Sequence, residues 1–206
     1  LRVEMRLELK RLQNEVGIAF VFVTHDQEEA LTMADRAAVM KAGKVMQIGT
    51  PEQLYNAPAN LYVARFIGEA NVFSGRLENG ADGWLVNANG NSYRVSEAEV
   101  QRTALGRGAK VAIVVRPERM MIQPCESDRA SQPLNLVYGR LLESAYLGNA
   151  RTFIVQTEDD QRLSIQTPAA DFAPSLSIGQ QVCIGWKIES GILVPASENG
   201  DSKGED

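Results

Sequence analysis

Apolar side chains at Leu1, Met5, Leu9, Leu12 and Val16 recur at helical spacing and predict one amphipathic helix over residues 1–16. Glu8, Lys10, Arg11 and Asn14 fit its solvated face. Gly17 suits the left-handed position that ends a helix. Residues 18–23 carry a different signal: six apolar residues in a row, with no alternation. Such a run predicts a strand covered on both faces, as in a parallel α/β sheet. Thr24-His25 follows it directly, and Asp26 with Glu29 forms a capping pattern that opens a short helix through Ala34. Residues 37–40 and 44–49 read as two strands turning at Ala42-Gly43. Thr50-Pro51-Glu52-Gln53 is a second helix start, with a Thr cap, Pro at the first helical position and Gln three after the cap. Pro58 and Asn60 punctuate before an amphipathic helix over 61–67, and Gly68-Glu69-Ala70-Asn71 reads as a boundary.

Beyond Asn71 short β-rich runs alternate with clusters of Gly, Asn, Asp and Ser, the texture of an all-β domain. It also repeats. Val72-Phe73-Ser74-Gly75-Arg76-Leu77 resembles Leu136-Val137-Tyr138-Gly139-Arg140-Leu141, and Gly108-Ala109-Lys110-Val111-Ala112-Ile113 resembles Gly179-Gln180-Gln181-Val182-Cys183-Ile184. In register, Arg116-Pro117-Glu118 falls over Lys187-Ile188-Glu189. Two copies of one small β unit, joined by a Pro/Ser/Asp linker near 123–133, account for this pattern. The expected domains are therefore 1–68 and 72–195, followed by an acidic tail, 196–206, too polar to bury itself and expected to be disordered.

Composition narrows the function classes. With 44% hydrophobic and 23% charged residues the 206-residue chain reads as soluble and globular. A net charge of −5 argues against a nucleic-acid partner gripped through a broad basic face. No apolar run approaches the roughly 18 residues of a membrane span, so no direct membrane insertion is expected. Cys125 and Cys183 stand far apart without a CxxC or Cys/His cluster, which speaks against a structural zinc and for a reducing cytoplasm.

The run 18–23 ending in Thr24-His25-Asp26-Gln27-Glu28-Glu29-Ala30, with Asp35-Arg36 beyond it, resembles the switch-histidine region of ABC ATPases. Val39-Met40-Lys41-Ala42-Gly43-Lys44-Val45-Met46-Gln47-Ile48-Gly49-Thr50-Pro51 is similar to the hairpin and following turn of importer ATPases, and Tyr55-Asn56-Ala57-Pro58 and Phe66-Ile67-Gly68 to the segment leading out of their nucleotide domain. Val115-Arg116-Pro117-Glu118 and Tyr146-Leu147-Gly148-Asn149 resemble recurring sequences of the TOBE domain, a transport-associated OB fold. The likeness covers about residues 1–195 and keeps the family's order. It implies an α/β remnant of a P-loop ATPase domain followed by an all-β OB-like TOBE barrel of two repeats. It also implies ATP and Mg²⁺ as cofactors of the intact protein, a second copy of itself and membrane-spanning permease subunits as partners, and a place at the inner face of the cell membrane. The subfamily imports maltose, polyamines, iron or related solutes, and general likeness favours a polyamine or other small organic solute.

On its residues alone, His25 has two readings. At the C-terminal end of a buried strand it can donate to a phosphate oxygen or orient a water; otherwise it is an exposed loop histidine. The resemblance assigns it the switch role. Yet the chain has no G-x-x-x-x-G-K-[ST]: around Gly43-Lys44, Ala38 stands where the first Gly belongs and Val45 where the hydroxyl belongs. The acidic Mg²⁺ pair and the Gly-rich signature are missing too. No nucleotide or metal is expected on this chain alone. The chain opens at Leu1 inside a helical pattern, which suits a piece of a longer protein. Trp84, Tyr93, Phe153 and Trp186 read as strand core, Met33, Met40 and Met46 as packing residues, and Arg116 with Glu118 as a pair at a bend. The alternative function is a small-ligand or oxyanion-binding module without an ATPase role.

Overall fold

The computed structural model describes residues 2–125, 134–170 and 176–196. It divides into two compact units, Leu1–Gly68 and Glu69–Asp206.

In the first unit, helix α1 (Arg2–Val16) closes at Gly17, whose φ is +69° and whose amide donates to the Gln13 carbonyl at 3.0 Å. Its polar face carries Arg11 between Glu8 and Glu15. Its apolar stripe is not covered: Met5, Leu9, Leu12 and Val16 are all exposed. The strand expected over 18–23 does not form. The segment is in no regular element, and Val21 and Val23 are 92% and 94% exposed. The reason is hydrogen bonding. A strand exists only against a neighbour that takes its amides and carbonyls, and among the described residues none pairs with this run. The sheet of this unit is instead a two-stranded antiparallel hairpin, β1 (Ala37–Lys41) and β2 (Lys44–Gly49). It turns at Ala42 and Gly43 with φ of 47° and 78°, the pair of positive values that matches strand twist in a two-residue hairpin.

Helix α2 (Gln27–Met33) lies before the hairpin, and α3 (Pro51–Asn56) and α4 (Leu61–Phe66) after it. Thr50 and Gln53 form a reciprocal capping box at α3, and the buried Asn60 side chain caps α4 by accepting from the Val63 amide at 3.0 Å. Val39, Leu54, Val63 and Ile67 make the buried core, with Leu31, Met46, Tyr55 and Tyr62 packed on it.

Among its described residues the second unit is mainly β, with one α-helix and two 3-10 turns. Its elements are β3 (Asn71–Gly80), β4 (Gly83–Ala88), β5 (Asn91–Arg94), α5 (Glu97–Thr103), β6 (Lys110–Val115) and β7 (Met120–Pro124), then β8 (Leu134–Tyr146), β9 (Ala150–Thr157), β10 (Arg162–Pro168), β11 (Gln181–Lys187) and β12 (Ile192–Pro195). They form two five-stranded antiparallel sheets, in the orders β12-β6-β3-β4-β5 and β7-β11-β8-β9-β10. The two orders are the same order with strands exchanged. After β6 the 3-10 turn Pro117–Arg119 sends β7 to the edge of the second sheet, and after β11 the turn Ile188–Ser190 sends β12 to the edge of the first.

The similar hexapeptides sit at equivalent places, and so do their contacts. Leu77 exchanges backbone hydrogen bonds with Ala109 and Gly108 at 3.0 and 2.7 Å, and Leu141 does so with Gln180 and Gly179 at 2.9 and 2.7 Å. Gly75 and Gly139 occupy matching positions where a side chain has no room: an added Cβ would lie 2.0 Å from the Asn87 carbonyl oxygen and 2.5 Å from that of Gln156. Asn71 and Asn135, each at the start of its copy, are buried and tie the sheets together. Asn71 accepts from the Ser164 amide at 2.8 Å and donates to the Ser164 carbonyl at 2.7 Å. Asn135 does the same with Arg94 at 2.7 and 2.9 Å.

One core runs through both sheets, including Leu77, Ile113, Leu141, Phe153, Ile165 and Ile184 around a triad in which Trp186 stacks on Phe73 at 4.8 Å and meets Tyr93 at 5.3 Å. Trp84 packs against it half-buried. Of the expected linker, Gln123 and Pro124 belong to β7, and 126–133 lie outside the described residues. Ala196, expected in the disordered tail, instead donates to the Lys110 carbonyl at 3.1 Å; the remainder, 197–206, lies outside the described residues.

Candidate functional site

His25 sits in a bend between the apolar run and α2 and is exposed. Its two neighbours are held. The Thr24 hydroxyl donates to Glu29 Oε2 at 2.7 Å, and Thr24 Oγ1 accepts from the Asp26 amide at 2.9 Å. Asp26 caps α2, its Oδ1 accepting from the Glu28 and Glu29 amides at 2.9 and 3.2 Å. This differs from the reciprocal box expected at Asp26 and Glu29, because Glu29 reaches Thr24. Two residues after the histidine, Gln27 Oε1 accepts from the Gly68 amide at 2.8 Å and ties the first turn of α2 to the end of the unit. A groove of about 680 Å³ opens beside the histidine, with Leu9, Phe20, Phe22, Met33 and Phe66 among its apolar walls. Lys10 closes against Asp35 across it at 2.6 Å.

The second unit gathers the other sequence signals. Tyr146, Leu147 and Gly148 form the exposed turn from β8 to β9, where Leu147 donates to the Ala150 carbonyl at 2.8 Å and the Arg151 guanidinium lies over the Tyr146 ring at 5.9 Å. Arg116 is fully buried and donates to the Glu69 carbonyl at 3.1 Å. Burial, with the nearby charge of Asp159, pushes the Tyr93 phenol up to about 12. The Thr157 hydroxyl, and to a smaller extent Asn89, holds the Asp159 carboxyl below its ordinary value. Burial, with Cys125 nearby, raises the Cys183 thiol. Among the described residues no three His, Cys, Asp or Glu side chains converge to hold a metal. No helix there is long and apolar enough to cross a membrane.

A TOBE domain model matches residues 113–194. The chain is 37% identical over 95% of its length to the spermidine/putrescine import ATP-binding protein PotA of Thermobifida fusca. It is 40% identical over 96% to that of Nitratidesulfovibrio vulgaris and 39% identical over 90% to that of Haemophilus ducreyi. It spans about half the length of these relatives, 50–53%. Among solved structures, the molybdate-bound cytoplasmic protein ModG covers 61% of the chain, 96% of ModG itself, at a TM-score of 0.51 and 19% identity, a likeness of fold alone. Similarity to these import ATP-binding proteins runs through both units of the chain, and the TOBE domain match lies in the second.

Proposed function

We propose that the chain is the C-terminal part of the ATP-hydrolysing, energy-coupling subunit of an ABC importer for a polyamine or similar small solute. The observation that carries this reading is identity of 37–40% to polyamine import ATP-binding proteins over 90–96% of the chain. In this reading residues 1–68 are the end of the P-loop nucleotide domain, residues 72–195 are a regulatory or dimer-stabilising TOBE domain of two OB-like repeats, and His25 is the switch residue. The intact subunit would work as a homodimer with membrane-spanning permease subunits, peripheral at the inner face of the cell membrane.

The residues present do not by themselves fit ATP with Mg²⁺. Phosphates need a backbone cradle, a lysine and metal-binding carboxylates, and this chain offers one exposed imidazole beside an apolar groove. The intact subunit is therefore expected to hydrolyse ATP, while isothermal titration of the 206-residue chain with Mg-ATP shows no saturable sub-millimolar binding. Saturable binding by the chain alone would overturn this division of labour.

The fold shared with ModG keeps a second reading, an oxyanion-binding module. Equilibrium dialysis with labelled molybdate separates the two: uptake at stoichiometric levels favours the module, and none favours the importer subunit.

A further inference from the structure

We infer that Thr24 and Glu29 are positioning residues for His25, an assignment that rests on the switch reading above. In this chain the residue two before the histidine, Val23, is 94% exposed, and no strand among the described residues pairs with 18–23, where the Ile18 carbonyl accepts from the Gln13 side chain at 3.2 Å. Nor is its ring packed, because His25 itself is exposed. What ties it down is a relay through its two neighbours: the Glu29 carboxylate accepts from the Thr24 hydroxyl, and the same hydroxyl oxygen accepts from the Asp26 amide.

A capping box would bring Glu29 straight to the Asp26 amide. Here the threonine is inserted between them. The insertion closes a ring around His25 that runs from the residue before it to the residue after it, anchored one turn into α2. Thr24 is the residue type this needs, a single group that donates and accepts at once. Asp26 holds the same turn from the other side through the Glu28 and Glu29 amides. The backbone at His25 is thus tied on both sides to the first turn of the helix.

The protein has one histidine, so its ring signals need no assignment. On the 206-residue chain, ¹⁵N relaxation of the His25 amide and ¹³C relaxation of its imidazole report picosecond-to-nanosecond order. Thr24→Val, close in shape, is expected to lower both order parameters, while Thr24→Ser and Glu29→Gln, which keep the relay, retain them. The amides of Val39, Leu54 and Val63 should not change. An unchanged His25 in Thr24→Val, or loosening spread equally over that core, overturns the inference.

In the intact subunit Thr24→Val is expected to lower kcat about ten- to a hundredfold with KM for ATP kept, the scale of a misplaced reacting group. It should add no further loss in a His25→Ala background. Additive losses would also overturn it. Normal turnover by His25→Ala would remove the switch reading while leaving the relaxation result to stand on its own.

Discussion

At the scale of single residues, the fold has two positions at which no side chain fits. Gly75 and Gly139 lie under opposing carbonyl oxygens, 2.0 and 2.5 Å from where a Cβ would sit. Gly75→Ala and Gly139→Ala should each cost about 1–3 kcal/mol, the range for forced overpacking, read as a lower urea midpoint. Tyr93 gives a signature in pH. Its phenol is held neutral up to about 12 in the folded chain, against an ordinary 10.0. Below pH 10 that preference is without effect; from there to about 12 the unfolded chain ionises and the folded one does not, so stability falls as pH rises. Tyr93→Phe should flatten the alkaline limb of a stability–pH curve, and an unchanged limb would remove Tyr93 as its cause. His25 is the residue on which the proposed chemistry turns. In the intact subunit His25→Ala should lower ATP turnover about a hundredfold, as loss of a charge-stabilising or proton-handling contact does, with nucleotide affinity nearly kept. Hydrolysis and binding measured separately decide it, and near-normal turnover would return His25 to an ordinary loop residue.

At the scale of elements, the sequence was readable wherever the cause of an element is local. The Ala42-Gly43 turn, the Thr50–Gln53 box and the stop at Gly17 each depend on residues within one turn of each other, and each is where the pattern put it. Residues 18–23 show the opposite case. Their apolar run describes what the segment would bury, but a strand also needs a hydrogen-bonded neighbour, and that information is not in the run. The bridges from Asn71 and Asn135 were illegible for a related reason. Each asparagine immediately precedes a repeated hexapeptide, yet its partner lies 93 or 41 residues away in the other sheet. Asn135→Leu should cost about 1–3 kcal/mol, because it strands the part-buried backbone N–H and C=O of Arg94; a denaturation midpoint equal to wild type would contradict this. The exposed run makes a further prediction. Unpaired, apolar strand edges seek partners. Sedimentation at tens of micromolar (roughly the range where exposed edges associate) is expected to show self-association, relieved in a Val21→Lys, Phe22→Lys variant. A strict monomer in the unsubstituted chain would count against it.

At the scale of the whole molecule, exchange of β7 and β12 between the sheets makes the second unit one cooperative body. The similar hexapeptides made the repetition visible in the sequence, but not the exchange, because sheet partners are chosen by the packed core around Trp186 and not by chain order. For the same reason the Thr24-His25-Asp26 motif was visible in the sequence and the bonding through Thr24 was not: the motif names residue types, while the bonding pattern among them appears only in space. The central proposal is that these residues belong to a larger protein that spends ATP to import a polyamine. Its most direct test is uptake. The intact subunit is assembled with its permease subunits in proteoliposomes, and labelled spermidine is followed with and without ATP on the side that the subunit faces. The account predicts spermidine accumulation that requires ATP and is abolished by His25→Ala. Uptake indifferent to ATP, or ATP-driven uptake undiminished in His25→Ala, would contradict it.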